Sequence, residues 1–464
     1  MSWRLGLIAV GLSSLGGCSA STSGLDATSV DGGSLAADAL PKDLGSADTG
    51  TDLDTGTDLD TGTDLDTGTD LDTGTDLDTG AGDAPGFEDH VPPDTGARDA
   101  GPAGRALISA FAGSPSSNYV VEAELGTLAR TLVLLPAPAS GANCDAYGHR
   151  LLGAQERLFA LWWSNDRMGC PNVLQELDPQ GLGAHAARAT LPGTPLAAAL
   201  ASASSIYVAA TGTTSVLRVG YPGFGDEGEI AIGLTTTVAQ AQYAPLAIRA
   251  TPLRAYVAMA GRYGDPRLPT VIVPIDPATH TPLDLDPVQA GLQGITLQYH
   301  GFTQMRLTPG GERLVVLSRG IDDGQFEHRA DGGLEVIDLT TNQVILRVPA
   351  SDFGGDSWDF DLLRDAAAIV GGAIPSNTAR PGLIEINLAF GGVTVFAASP
   401  GALAYRLVRI APDGSVWAAR TEHDAVTTLN GQIVDVFGLS GALMGSVAVG
   451  AESVSTSIEF VAAD

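Results

Sequence analysis

Residues 313–320 read RLVVLSRG, and residues 332–349 read GGLEVIDLTTNQVILRVP. These segments contain three runs rich in Val, Ile and Leu that are bounded by Gly, Asp, Asn and Thr, a composition typical of strands joined by turns. With Gln304–Leu307 as a fourth strand, they predict a four-stranded antiparallel meander. A single sheet of this kind leaves apolar surface uncovered, so we expect copies of the unit to pack on both sides.

The unit recurs along the chain. Runs equivalent to RLVVLSR begin at Arg105, Arg157, Ser205, Arg254, Arg313, Ala366 and Ser415. A second run recurs as VLQELDP from Val173, VIVPIDP from Val271, GLEVIDL from Gly333 and GLIEINL from Gly382. The seven starts lie 48 to 59 residues apart, and a period of about 40–50 residues with four strands per unit is typical of β-propeller blades.

The repeated pattern resembles the seven-bladed propellers of the YVTN and lactonase-like type. This resemblance implies an all-β, seven-bladed β-propeller over residues 105–464, with four antiparallel strands in each blade. It implies an architecture and no particular chemistry, because such families share blades and not active sites.

The two ends of the propeller segment are expected to pair with each other. Blade one has three predicted strands and lacks its innermost one, whereas strand-like residues 447–449 and 454–460 follow the last blade. One of these pieces is predicted to complete blade one, because closure of the ring removes the open sheet edges. Blade seven is predicted from residues 406–410, 415–419, 425–429 and 432–437.

Residues 1–17 are predicted to be a lipoprotein signal peptide. Arg4 precedes the apolar run Leu5–Leu12, which is too short to span a bilayer. The segment then reads LGGC up to Cys18, an ending that resembles a bacterial lipobox. That resemblance implies acylation of Cys18, and the Ser19 that follows favours the outer membrane of the cell envelope. The alternative is an ordinary secretory signal in which Cys18 carries no lipid.

Residues 18–104 are predicted to be a disordered, acidic tether. The segment repeats Thr-Asp-Leu-Asp-Thr-Gly five times from Thr51 to Gly80, and such a composition buries too little apolar surface to offset the entropy of ordering. The alternative is a calcium-binding coil, since Asp52, Asp54 and Asp58 have spacings seen in EF-hand loops. The repeat lacks the glycine at position 6 and the glutamate at position 12 of a full loop, which favours the tether.

Cys144 and Cys170 are the two cysteines that remain once Cys18 is assigned to lipid. Both fall in loops predicted on the same face of the propeller, and a secreted chain permits disulfides. We therefore predict a disulfide between them, with free or metal-binding thiols as the alternative.

The same face is predicted to carry the least repetitive loops, which makes it the candidate ligand face. Its candidate residues are Trp162, Trp163, Asp166, Arg262, Asp322, Asp323, His328, Asp356, Trp358 and Asp359. The alternative is that the charged residues form ordinary solvated loops and that one of the paired tryptophans belongs to the core. The sequence contains no histidine pair with zinc-site spacing and no nucleophile elbow, phosphate loop or dinucleotide fingerprint.

Two functions are consistent with these patterns. The first is a monomeric binding or protein-interaction module of the cell envelope, anchored to the membrane by lipid, without a cofactor, and with a protein or glycan partner. The alternative, implied by the resemblance, is a lactonase- or lyase-like enzyme with Ca²⁺ or another divalent metal at the channel mouth. Its carboxylates would come from Asp322, Asp323, Asp352, Asp356, Asp359 and Asp361. A net charge of −30 without a basic patch argues against nucleic acid as a partner.

Cys18→Ser is expected to move the full chain from the membrane fraction of a Gram-negative host into the periplasm, because the acyl chains are the only predicted membrane attachment. Cell fractionation with immunoblotting measures the distribution. Cys144→Ser is the matched control and should stay with the membrane. A Cys18→Ser chain that remains in the membrane fraction would contradict the lipobox interpretation.

Overall fold

A computed structural model describes residues 104–113, 116–135, 147–154, 156–164, 171–236, 238, 240–261, 268–320, 331–353, 357–371, 382–398, 404–423, 428–450 and 453–462. The predicted signal peptide, the predicted tether and the cysteines Cys18, Cys144 and Cys170 lie outside these residues. Within the described ranges, no helix is long and apolar enough to cross a membrane.

The first three blades follow one another along the chain. Blade one contains β1 (Gly104–Gly113), β2 (Ser116–Glu124) and β3 (Arg130–Leu134). Blade two contains β4 (Tyr147–Ala154), β5 (Arg157–Ser164), β6 (Asn172–Leu177) and β7 (Ala184–Leu191). Blade three contains β8 (Thr194–Ser202), β9 (Ser205–Thr211), β10 (Ser215–Gly220) and β11 (Asp226–Ala231).

Blades four and five continue the same order, with one short additional strand. Blade four contains β12 (Tyr243–Ala250), β13 (Ala255–Gly261), β14 (Val271–Asp276), β15 (Thr281–Pro282) and the extra strand β16 (Ile295–Thr296) beside β14. Blade five contains β17 (Phe302–Leu307), β18 (Arg313–Ser318), β19 (Gly333–Asp338) and β20 (Gln343–Pro349). The short helix α1 (Ala350–Phe353) follows β20.

The last two blades complete the ring. Blade six contains β21 (Phe360–Leu363), β22 (Ala367–Gly371), β23 (Gly382–Asn387) and β24 (Val393–Ala398). Blade seven contains β25 (Ala404–Ile410), β26 (Val416–His423), β27 (Thr428–Phe437) and β28 (Leu443–Ala448). The final strand, β29 (Ser453–Ala462), belongs to blade one. The predicted seven-bladed, all-β propeller is confirmed. Each of the seven recurring runs begins within one residue of the first residue of the second strand of its blade.

The burial of each strand reflects its place in the blade. The middle strands β13 and β14 are buried along almost their whole length, because neighbouring blades cover both of their faces. The outer strands β7 and β11 are mostly exposed. The core therefore lies between blades: Tyr405 and Val408 of blade seven, for example, pack with Ile369 and Leu383 of blade six.

The first strand of each blade lies at the axis of the ring. These strands are β29, β4, β8, β12, β17, β21 and β25, and each stands at one end of the strand order of its sheet. Each of them contacts the corresponding strand of the next blade, so that the contacts run in a closed circle. These seven strands consequently surround the central channel.

Pairing of β29 with β1 closes the ring. The strands are antiparallel, with Ile458 opposite Ile108 and Phe460 opposite Ala106. The prediction that the tail completes blade one is thus confirmed, and it is the piece 454–460 that does so.

The predicted division of blade seven is wrong. Residues 425–429 and 432–437 were expected as two strands with a turn at Asn430-Gly431, a dipeptide that favours hairpins. Instead β27 runs through Asn430-Gly431, because β26 extends to His423 and pairs with β27 on both sides of that dipeptide. Tertiary pairing overrides the local turn signal, and β28 becomes the outer strand of the blade.

Candidate functional site

Arginines occur at similar places on three of the innermost strands. The sequence reads IRA at residues 248–250, MRL at 305–307 and VRI at 408–410. The residue before each arginine is fully buried in a core between blades. Because successive side chains of a strand point to opposite sides, each arginine turns away from that core. Two further strands add Arg150 from β4 and Glu459 from β29.

The channel cluster consists of the charged residues on or next to the innermost strands: Arg150, Arg249, Arg306, Arg409, Asp359, Asp361 and Glu459. Asp359, which directly precedes β21, is its most buried member. Its side chain is 3% exposed, and its Oδ1 lies 3.8 Å from Nη2 of Arg306. Its Oδ2 lies 2.5 Å from Nη1 of Arg409 and accepts the N–H of Val408 at 3.2 Å. Burial alone would raise the pKa of Asp359, but Arg409, Arg306 and the Val408 N–H outweigh burial and hold this pKa below 3.8. The ionised carboxylate therefore joins blades five, six and seven at the axis.

Asp361 extends this connection two residues further along the chain. Its Oδ2 accepts the N–H of Ile410 at 2.9 Å, and its Oδ1 lies 3.5 Å from Nε of Arg306. The side chain is 21% exposed. Because Asp361 lies on an innermost strand, we attribute this exposure to the channel.

Glu459 faces the same arginines without forming an ion pair with any of them among the described residues. Its carboxyl accepts the N–H of Gly153 on the neighbouring strand β4. A Cβ at residue 153 would lie 3.0 Å from Glu459 Oε2, so the glycine lets the carboxyl approach the backbone. Burial raises the pKa of Glu459, although Arg409, Arg306, the Gly153 N–H and Arg150 partly oppose this effect.

Arg150 and Arg249 lack a carboxylate within ion-pair distance among the described residues. Nη1 of Arg150 donates to the carbonyl oxygen of Leu196 at 3.1 Å. Arg249 donates to the carbonyl oxygen of Ile248 at 2.8 Å and to Oε1 of Gln304 at 3.2 Å. Burial lowers the pKa of Arg249, and the positive charges of Arg306, Arg409 and Arg150 lower it further. A guanidinium stays protonated in proteins, so both side chains are cations without a full counter-charge.

Trp358 lies where the innermost strands begin, next to Asp359 in the chain. The Cζ atom of Arg319 is 3.7 Å from the centre of the indole ring, and the Cζ atom of Arg406 is 4.1 Å from it. Two guanidinium groups cannot both stack on one ring face at these distances, so the half-buried indole lies between them. This arrangement fixes an aromatic ring and two cations at one end of the channel.

The other predicted face residues divide into two groups. Trp162 is buried and stacks on His149, with the ring centres 5.1 Å apart, whereas Trp163 is half-buried. Asp166, Arg262, Asp322, Asp323, His328 and Asp356 lie outside the described residues. The structure therefore brings together Trp358 and Asp359 of the predicted set. In the described part of the chain, no three His, Cys, Asp or Glu side chains are placed to hold a metal ion.

The channel arginines were missed by the sequence analysis, although a signal for them exists. The runs that recur from blade to blade are the second and third strands, whereas Arg249, Arg306 and Arg409 lie on the first strands. A charged residue between two apolar ones, repeated before the first turn of three blades, is the pattern that identifies them. Arg150 and Glu459 follow no repeated pattern and become visible only when the ring is closed.

Comparison with known proteins establishes the fold and not the chemistry. The chain matches no model of a protein family, and a search of curated proteins gives no match. A solved protein from Lactobacillus plantarum is 15% identical, with 77% of this chain and 99% of that chain covered and a TM-score of 0.51.

Two further solved propellers have lower TM-scores. The periplasmic gluconolactonase of Pseudomonas aeruginosa is 13% identical, with 78% of this chain and 99% of that chain covered and a TM-score of 0.49. The WD40 domain of Neurospora crassa Pan2 is also 13% identical, with coverages of 68% and 86% and a TM-score of 0.44. The neighbours thus include an enzyme and a WD40 domain, and the likeness shows the propeller fold alone.

Asp359→Asn is expected to lower the free energy of unfolding at pH 7 by about 3 kcal/mol, because it leaves the buried guanidinium of Arg409 without its counter-charge. Asp365→Asn, in an exposed turn, should change it by less than about 0.5 kcal/mol. Urea unfolding measures both variants.

The difference in unfolding free energy between wild type and Asp359→Asn is expected to depend on pH. The folded-state pKa of Asp359 lies below 3.8, so its stabilisation is complete above that value and declines as the pH falls through the folded-state pKa. The stability difference between wild type and Asp359→Asn should therefore shrink below pH 3.8. An Asp359→Asn chain as stable as wild type at pH 7 would show that this ion pair does not support the ring.

Proposed function

We propose that this chain is a lipid-anchored propeller of the cell envelope that binds a protein partner through the face on which its innermost strands begin. The observation that carries the proposal is the Trp358 platform, which we define as Trp358 with Arg319 and Arg406. Tryptophan and arginine are the side chains most often found at the energetic centres of protein interfaces. A platform held rigid by stacking loses little side-chain entropy when a partner binds.

The platform favours a protein over a glycan. Sugar rings bind tryptophan by stacking on an open ring face, and both faces of Trp358 are occupied by guanidinium groups. The edge of the half-buried indole suits instead the apolar side chains and backbone carbonyls of a partner protein, because an indole has an apolar body and one N–H donor. Of the two predicted kinds of partner, protein and glycan, we therefore favour a protein.

Two of the six carboxylates considered for a metal enzyme are already paired with arginines. Asp359 and Asp361 are directed at Arg306 and Arg409, which compensate their charge. Carboxylates paired in this way are not arranged around a common point for a divalent ion. We therefore favour binding over lactonase- or lyase-like catalysis.

Site-directed photo-crosslinking in the producing cell tests the proposal. A photoreactive aromatic residue in place of Trp358 should yield a discrete protein adduct of constant mass. The same residue in place of Leu253 is the matched control, because Leu253 is 83% exposed in the turn between the first two strands of blade four, at the opposite end of the ring. No adduct at position 358, or the same adduct from both positions, would refute the proposed face.

The affinity of the captured partner gives a second readout. Truncation of a residue at the centre of an interface costs about 2 kcal/mol or more, so Trp358→Ala should weaken binding by roughly thirtyfold. Leu253→Ala should leave the dissociation constant unchanged. Titration calorimetry with the purified partner measures both values.

A further inference from the structure

The channel cluster contains more positive than negative charge. Its cations are Arg150, Arg249, Arg306 and Arg409, and its carboxyl groups are Asp359, Asp361 and Glu459. One positive charge is therefore in excess even when every carboxyl group is ionised. The ion pairs involve Arg306 and Arg409, so the excess falls on Arg150 and Arg249.

Blade three lies between these two arginines, and its innermost strand carries no charged side chain. Its innermost strand, β8, reads TPLAAALAS. Arg150 lies on blade two and Arg249 on blade four, so the two cations come from the strands on either side of an uncharged innermost strand.

Both arginines retain hydrogen-bonding capacity. A guanidinium carries five N–H donors. Among the described groups, Arg150 uses one donor, for Leu196, and Arg249 uses two, for Ile248 and Gln304. The unused donors and the half-buried state of both side chains mean that a small molecule in the channel can reach them.

We propose that the channel binds a small monocarboxylate between Arg150 and Arg249. A guanidinium matches the two oxygens of a carboxylate or a phosphate in a bidentate pair. With Glu459 ionised, the single negative charge of a carboxylate balances the excess, whereas a phosphate monoester, which carries about 1.5 to 2 at pH 7, overshoots it. In that charge state the balance favours the carboxylate.

A bound anion would also reduce the electrostatic repulsion between the channel arginines. Like charges at the axis repel one another more strongly than on the surface, because the surrounding protein screens them less than water does. An anion between Arg150 and Arg249 reduces this repulsion and should raise the melting temperature as its concentration increases.

Thermal melting of the full chain at pH 7 and constant ionic strength tests the site, with sodium acetate, sodium phosphate and sodium chloride as probes. Acetate should give a saturable rise in melting temperature with a single apparent dissociation constant. Chloride should give no saturable rise, and phosphate a weaker one than acetate.

Four substitutions make the test specific. Arg150→Met and Arg249→Met should each weaken the apparent acetate affinity at least tenfold, and Arg188→Met, on an exposed outer strand, should leave it unchanged. In chloride alone, Arg249→Met should melt at or above the wild-type temperature, because it removes a cation without a full counter-charge. This readout also shows that the variant folds. Arg249→Lys keeps the charge and loses the planar fork, so it should bind acetate with intermediate affinity.

Several results would overturn the proposal. The first is a wild-type melting temperature that does not rise saturably with acetate. The second is acetate binding that both Arg150→Met and Arg249→Met retain. The third is a larger rise in melting temperature with phosphate than with acetate. If Trp358→Ala abolishes acetate binding and Arg249→Met retains it, acetate binds at the Trp358 end of the channel and not between Arg150 and Arg249. The outcome is independent of the protein partner, because crosslinking from position 358 can fail while the channel still binds acetate.

Discussion

The antiparallel pairing of β29 with β1 is the constraint on which the rest of the ring depends. Without it, blade one would have three strands and the first and last blades would present open edges, which invite pairing with other chains. β29 also reaches the next blade, since Oγ of Ser457 accepts the N–H of Leu151 at 2.8 Å. The last strand thus joins blade one to blade two at the axis and brings Glu459 into the channel.

Closure explains how charges far apart in sequence meet at the axis. Asp359 and Arg409 lie 50 residues apart in the chain, and neither could be buried alone, because an isolated charge inside a protein costs several kcal/mol. The ring places one innermost strand of each blade beside the next and so provides the partner. Buried ion pairs add little net stability compared with a packed apolar core. Arg150 and Arg249, which have no carboxylate within ion-pair distance in the part of the chain that the structure describes, are therefore better explained by binding than by stability.

The sequence predicted the parts of the fold that repeat. The second strand of each blade is an apolar run, because both of its faces are covered, and the recurrence of this run located all seven blades. The innermost strands vary more, since each contributes different side chains to the channel, and Arg150, Arg249, Arg306 and Arg409 were consequently overlooked. Asp359 was identified as a candidate, but its role with Arg409 and Arg306 follows only from the circular order of the blades. The division of blade seven failed because pairing with β26 continues across Asn430-Gly431, a dipeptide that ordinarily ends a strand.

Hydrogen exchange followed by mass spectrometry tests ring closure most directly. If β29 and β1 close the ring, amides of residues 453–462 and 104–113 should exchange only through global unfolding and be as protected as those of β18 in blade five. The exposed turn at residues 251–254 should exchange much faster and serve as the internal reference. Exchange in β29 as fast as in that turn, while β18 stays protected, would contradict a ring closed by its last strand.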